Sequence, residues 1–190
     1  MPGSGKTTVA KKLAKQLGYK HYYIGGMRRE MARKRGMTLA RFNKLGEKKF
    51  FTDKIVDEYQ KKLGQTQDNF IIEGRTSFFF IPQSLKIFLD CSTSEGAKRI
   101  WGALQKSPQK RNEDKNLKSH QDVLKSIKER IRSDRLRYNK YYKINIFAKK
   151  HYDLYLDTTR LNPIQEFNKV YEFVKKRLKN KKDPVENYCQ

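Results

Sequence analysis

Gly3, Ser4, Gly5, Lys6 and Thr7 run in an order that handles phosphate. They match the end of G-x-x-x-x-G-K-[ST], where backbone N–H groups cradle phosphates, the lysine reaches the β/γ-phosphates and the hydroxyl ligates Mg²⁺. Lys6 is therefore expected to neutralise phosphate charge and Thr7 to bind Mg²⁺. Gly3 and Gly5 let the backbone close on the anion. The first glycine of the pattern would fall just before Met1. We expect an apolar β-like run ending in glycine there, with Met1 as an internal position of the loop.

Further residues could meet a phosphorylated partner. Glu73-Gly74-Arg75 closes an apolar run. A carboxylate at the C-terminal end of a parallel strand lies beside the ligand crevice. Glu73 could hold Mg²⁺ through water, and Arg75 could reach a phosphate. Arg28 and Arg29 follow a Gly-Gly pair, and either could grip a phosphate bidentately, Arg29 being preferred. Arg130, Asp134 and Arg137 are spaced i, i+4, i+7, which places them within about 60° of a helix circumference. Arg130 and Arg137 are candidates for neutralising a transferring phosphoryl group, with Asp134 orienting one of them or a ribose. Arg111 lies in a polar stretch that could close as a lid. His21, His120 and His151 have no metal-ligand or triad spacing, and Phe78–Phe80 reads as core or pocket wall.

The elements around these residues alternate. Val9, Ala10, Leu13, Ala14 and Leu17 recur at helical spacing up to Gly18, so a helix N-terminus, favourable to anions, sits at Gly5–Thr8. Short β-prone runs are Tyr19–Ile24, Asn69–Glu73, Leu85–Asp90 and Tyr152–Asp157. Between them the patterns predict helices over Met27–Arg35, after Thr38, after Thr52 or Asp53 up to Gly64, after the capping box Ser92-x-x-Glu95, over about 121–141, and after Asn162-Pro163. The fourth should bury Ile55, Val56, Tyr59 and Leu63. Residues 105–118 read as a mobile loop and 180–190 as a polar tail. Strands alternating with helices predict an α/β fold with a parallel sheet flanked by helices, in one domain over 1–179.

The chain has 190 residues and a net charge of +24, from 44 basic and 20 acidic side chains. That balance implies anionic partners. Lysines are scattered as on a solvated surface, whereas arginines cluster at 28–41 and 130–137. The aromatics fall mostly at interior positions, which argues against a nucleic-acid stacking surface. Two cysteines make neither a disulfide framework nor a metal site. The absence of a long apolar run and of a signal-peptide pattern predicts a cytoplasmic protein without a membrane span, and we expect a monomer.

Taken together, these motifs resemble the nucleoside monophosphate kinases, and most closely the archaeal-type cytidylate kinases. The matching pieces are P-G-S-G-K-T-T, G-G-M-R-R-E-M-A-R-K-R-G-M-T-L-A-R-F, I-I-E-G-R, the R-x3-D-x2-R of Arg130, Asp134 and Arg137, and Y-D-L-Y-L-D-T-T. The resemblance implies an adenylate-kinase-like P-loop kinase fold whose first, central strand is missing from these 190 residues. It implies a nucleotide-binding segment at about 25–64 and a lid at about 105–118. The activity implied is transfer of the ATP γ-phosphoryl group to CMP or dCMP, with Mg²⁺. Pro2, Gly3, Ser4, Gly5, Lys6, Thr7, Thr8 and Arg111 would bind ATP. Arg29, Gly74, Arg75, Arg130 and Asp134 would bind the acceptor. Lys6, Arg130 and Arg137 would be catalytic, and Thr7 and Glu73 would serve Mg²⁺. The family often has Gly-Asp where this chain has Gly25-Gly26, which bears on base recognition. Other readings are a P-loop kinase for another small acceptor and a basic nucleic-acid-binding protein without turnover.

Overall fold

The computed structural model describes residues 1–106 and 117–182. Helix α1 (Lys6–Leu17) rises directly from the glycine-rich loop and stops at Gly18. It is followed by β1 (Lys20–Tyr23), α2 (Ile24–Arg33), α3 (Leu39–Lys48) and α4 (Phe51–Thr66). Next come β2 (Phe70–Glu73), the short α5 (Ser77–Phe80), β3 (Ile87–Asp90) and α6 (Thr93–Lys106). Helix α7 (His120–Tyr142), β4 (Leu154–Asp157) and α8 (Pro163–Lys182) complete the order.

The strands pair in parallel, as expected of buried strands linked by helices. β1 lies on β2 with Lys20 opposite Phe70 and Tyr23 opposite Glu73. β3 lies on β4 with Ile87 opposite Leu154 and Asp90 opposite Asp157. The two pairs form separate two-stranded sheets, so the single sheet expected from the sequence is split among the described residues. Helices α1 and α8 close one side through Val9, Leu13, Val170 and Val174, which pack with Leu89. Helices α6 and α7 share a second cluster of Ala97, Ile100, Val123 and Ile127. Full burial of each such aliphatic side chain contributes about 1.5–3 kcal/mol.

Several boundaries differ from expectation. α2 begins at Ile24 and runs through Gly25 and Gly26 instead of turning there. α4 starts at Phe51 and continues past Gly64, where the absence of a side chain lets Ile81 pack against the backbone. Its buried face is Thr52, Asp53, Val56, Asp57, Gln60 and Leu63. Ile55 and Tyr59 were expected inside but are 44% and 38% exposed. The inner stripe is polar because buried arginines from α2 and α7 supply counter-charges, as described below. α8 extends to Lys182, into the stretch read as a polar tail.

Candidate active site

The glycine-rich loop, the end of β2 and the middle of α7 meet around one cavity of about 560 Å³. Pro2 to Thr8 form one wall. Gly3 and Gly5 sit at φ 77° and 79°, a region that side chains disfavour. Each is also closely packed. A Cβ on Gly3 would lie 2.5 Å from the Gly96 backbone, and one on Gly5 would lie 1.9 Å from Glu166 Oε2. The loop is therefore clamped between the start of α6 and the start of α8.

Lys6 folds back along its own loop. Its Nζ donates to the Met1 carbonyl and, at 3.2 Å, to Ser4 Oγ. Burial, followed by repulsion from Arg75, lowers its pKa to about 8. An arriving phosphate would raise it again, because an adjacent anion favours the cation. The Met1 amine donates to the Leu89 carbonyl at 2.6 Å. Burial, then Lys6, holds its pKa well below the ordinary value.

Thr7 Oγ1 donates to Glu73 Oε1 at 2.7 Å. Glu73 Oε2 is buried without a hydrogen-bond partner, with His21 Nε2 3.8 Å away. A hydroxyl and a carboxylate side by side, one oxygen still unmatched, suit a hard cation such as Mg²⁺. Among the described residues no cluster of three or more His, Cys, Asp or Glu could hold a metal. Mg²⁺ takes one or two protein oxygens and completes its shell with phosphates and water.

Across the cavity lie Gly74, Arg75, Arg130 and Asp134. Asp134 is 1% exposed and bridges two arginines, Arg75 Nε on Oδ2 and Arg137 on Oδ1, each at 2.6 Å. Burial alone would raise its pKa, but Arg75, Arg137 and Arg130 outweigh that and hold it below the ordinary carboxylate value. Arg130 Nε is buried without a partner. Arg137 is not on the cavity wall. It is 1% exposed, bonds Asp53 and Asp134, and lies over the Tyr138 ring at 4.7 Å. The i, i+4, i+7 sector thus faces inward as expected, with Arg130 at the cavity and Arg137 deeper.

From α2 it is Arg28 that reaches the wall, and Arg29 that lies off it, half-buried. Arg28 donates to Thr52 O at 2.9 Å, Asp53 Oδ1 at 2.8 Å and Asn43 Oδ1 at 3.1 Å. The space beside Gly26 is filled by the Tyr23 ring, 2.7 Å from where a Cβ would stand. Arg111 lies outside the described residues.

Sequence reasoning passed over several wall residues. Asp57 accepts from Gln60 and Thr76 at 3.0 Å each and from the Tyr142 hydroxyl. Burial raises its carboxyl to about 6, against the lowering effect of those hydrogen bonds. Arg99 and Glu166, paired at 2.8 Å, line the cavity below the loop. The available signal was the spacing of Asp53 and Asp57, i and i+4 on a helix in a chain otherwise dominated by lysine.

A clamped glycine loop opening a helix beside parallel strand ends defines a phosphate-binding P-loop protein of α/β class. Residues 1–121 match the AAA domain family. The chain is 35% identical over 163 residues to the cytidylate kinase of Natronomonas pharaonis, covering 85% of this chain and 79% of that protein. It is also 35% identical over 164 residues to the cytidylate kinase of Pyrococcus furiosus, covering 86% and 79%. This chain belongs to the archaeal cytidylate kinase family. The fold is also similar to the solved structure of an uncharacterized protein from Eubacterium ventriosum, with TM-score 0.62 and 15% identity over 92% of this chain and 93% of the other. Among the described residues no helix is long and apolar enough to cross a membrane.

Proposed function

We propose that this protein transfers the γ-phosphoryl group of ATP to a nucleoside monophosphate, CMP or dCMP, on an adenylate-kinase-like core. The observation that carries this reading is the shared cavity. A loop built for one phosphate chain faces buried arginines suited to a second phosphate, and the two sets line one space. Kinship with proteins named cytidylate kinases supports the acceptor class.

The acceptor phosphate is already a nucleophile, so no general base is needed. One of its oxygens bonds to the γ-phosphorus as the bridging bond to the β-phosphate breaks, and ADP leaves. The protein's part is positioning and charge neutralisation. Lys6 turns from the Met1 carbonyl to the β/γ-phosphates. Arg75, held through Nε by Asp134, presents its remaining N–H groups to the acceptor. Arg130 supplies the unmatched cation between the two. Arg137 positions Asp134 and Asp53 and touches no substrate. Thr7 and Glu73 would hold Mg²⁺, which when bound shares the charge of the β- and γ-phosphates. Asp57 offers a carboxylate acceptor on the wall, which suits a base carrying an amino group, such as cytosine.

The test is ATP consumption coupled to ADP formation, measured with CMP, dCMP, UMP and AMP. The expected result is turnover stimulated most by CMP or dCMP. No stimulation by any monophosphate would overturn the reading.

A further inference from the structure

The acceptor end of the cavity holds one polar side chain that the phosphate chemistry does not use. Asn43 lies on α3, 5% exposed, and lines the cavity one turn after Leu39. Asp53, Val56 and Asp57 line it from α4, and Ile24 and Arg28 from α2. Ile24, Leu39 and Val56 are buried and give this end apolar walls. Asn43 and Asp57 stand out among them as side chains with hydrogen-bonding capacity to spare.

The orientation of Asn43 is set by a cation. Arg28 Nη2 donates to Asn43 Oδ1 at 3.1 Å. A guanidinium carries donors only, so the amide oxygen must face it, and the amide NH₂ group is what remains for a ligand. Arg28 is itself held by other groups. Thr52 O and Asp53 Oδ1 accept from it, and it lies 5.3 Å from the centroid of the Phe42 ring. Ser133 Oγ donates to the Asn43 carbonyl at 3.4 Å and ties its main chain to α7. Asn43 therefore offers a fixed donor. Asp57 offers the reverse. Its Oδ1 accepts from Gln60 and Thr76, and its Oδ2 from the Tyr142 hydroxyl. Gln60 is locked in turn, since its Oε1 accepts from Ser77 Oγ at 2.6 Å. A carboxylate has about four acceptor sites, so Oδ2 keeps one open.

We propose that Asn43 is a specificity-determining residue that reads the acceptor base jointly with Asp57. Asn43 Nδ2 donates to the ring nitrogen N3, Asp57 Oδ2 accepts from the amino group beside it, and Arg28 is the positioning residue that sets the Asn43 amide. The inference rests on the reading of this cavity as a nucleoside monophosphate site. The pair selects cytosine largely by rejecting uracil. Uracil carries an oxygen where cytosine carries the amine, and an N3–H where cytosine carries an acceptor. Its O4 would meet the buried carboxylate and its N3–H would meet the amide NH₂, so both protein groups would lose their partners. A buried polar group left unpaired weakens binding by roughly tenfold or more. Adenine presents the same amine and ring acceptor, so the two side chains sort amino from oxo bases, and ring size is left to the apolar walls.

The experiment measures equilibrium binding of CMP and UMP, at a pH well above the raised Asp57 pKa of about 6. CMP should bind the parent at least roughly tenfold tighter than UMP. Asp57→Asn offers uracil O4 a donor. Asn43→Asp keeps an oxygen on Arg28 and offers uracil N3–H an acceptor. Each should shrink the CMP-to-UMP affinity ratio by roughly tenfold, from opposite sides of the base. Equal affinities in the parent would overturn the inference. So would a variant that weakens both nucleotides alike, since damage to the fold does not sort one base from the other. Should a variant fail to fold, the parent decides with two CMP analogues, one with hydrogen in place of the amino group and one with CH in place of N3. Each should bind roughly tenfold weaker than CMP, and undiminished binding of either would overturn the inference. Turnover is scored separately. A CMP preference in binding without phosphoryl transfer would sink the kinase reading and leave the base reader standing.

Discussion

Two cavities meet at Lys6, Glu73 and Gly74 and are of similar size, about 560 and 450 Å³, yet they are held together by opposite means. Around the first, buried charges are tied into ion pairs, although Arg130 Nε and Glu73 Oε2 have no hydrogen-bond partner. Asp134 binds Arg75 and Arg137, Asp53 binds Arg28 and Arg137, and Arg99 binds Glu166. Around the second, which lies between β2 and β3, the inner lining is mainly apolar, with Leu13, Leu89, Val170 and Val174 among it. The polar region is tied by a network in which removing one member strands the others. The apolar region is two half-sheets joined through helices, where removing one side chain leaves no charge behind.

Function should break first at the shared residue. Lys6→Ala removes the cation aimed at the β/γ-phosphates and should lower kcat by about 10²–10³-fold, the usual effect of losing one donor to a developing anion. Steady-state kinetics with CMP and ATP check this. The stability contrast comes next. Asp134→Ala leaves Arg75 and Arg137 buried without their shared carboxylate and should destabilise the fold by about 3–5 kcal/mol. Leu13→Ala, on the apolar cleft, should cost only about 2 kcal/mol, the low end for such truncations, because the cavity it enlarges is already open. Urea unfolding of both variants decides the matter. A Leu13→Ala loss as large as that of Asp134→Ala would mean the cleft is closely packed and the contrast is not real.

Local patterns were the legible part of this molecule. The loop, the Glu73-Gly74-Arg75 strand end and the inward sector of Arg130, Asp134 and Arg137 each need only a few neighbouring residues to be recognised. The inner face of α4 was not legible, because apolar periodicity selects Ile55 and Tyr59 over Asp53 and Asp57. Asp53 is buried by partners 25 and 84 positions away, Arg28 and Arg137. Arg28 and Arg29 differ by one residue, about 100° around the helix, which the sequence around Gly25-Gly26 does not fix. The clamp on the loop by Gly96 and Glu166 brings together residues far apart in the chain and carries no local signature.

The arginine choice gives a smaller test. Arg28→Lys loses the fork that holds Thr52, Asp53 and Asn43 together, and a lysine cannot replace bidentate geometry. It should raise KM for the acceptor and lower stability by about 1.5–3 kcal/mol, the range for a hydrogen bond to a charged group. Arg29→Lys, at a half-buried position off the cavity wall, should cost less than Arg28→Lys and leave KM for the acceptor unchanged. Equal losses in the two variants would return Arg29 to the acceptor site.

The last effect concerns protons and is spread over two or more pH units, with opposite signs at the two ends of the polar cavity. Asp57 is raised by burial from 3.8 to about 6. Between those values the folded chain keeps a proton that the unfolded chain releases, so stability falls as pH rises through the window. Lys6 is lowered by burial from 10.5 to about 8. Between those values the unfolded chain keeps the proton that the folded chain releases, so stability rises with pH. Each change is on the order of 3 kcal/mol at most. Unfolding midpoints from acid to alkaline pH should therefore decline on the acid side and recover on the alkaline side. Asp57→Asn should flatten the acid limb only, and Lys6→Met the alkaline limb only. An acid limb that survives in Asp57→Asn would mean that another buried carboxyl, Glu166 first, whose pKa burial also raises, holds the proton in place of Asp57.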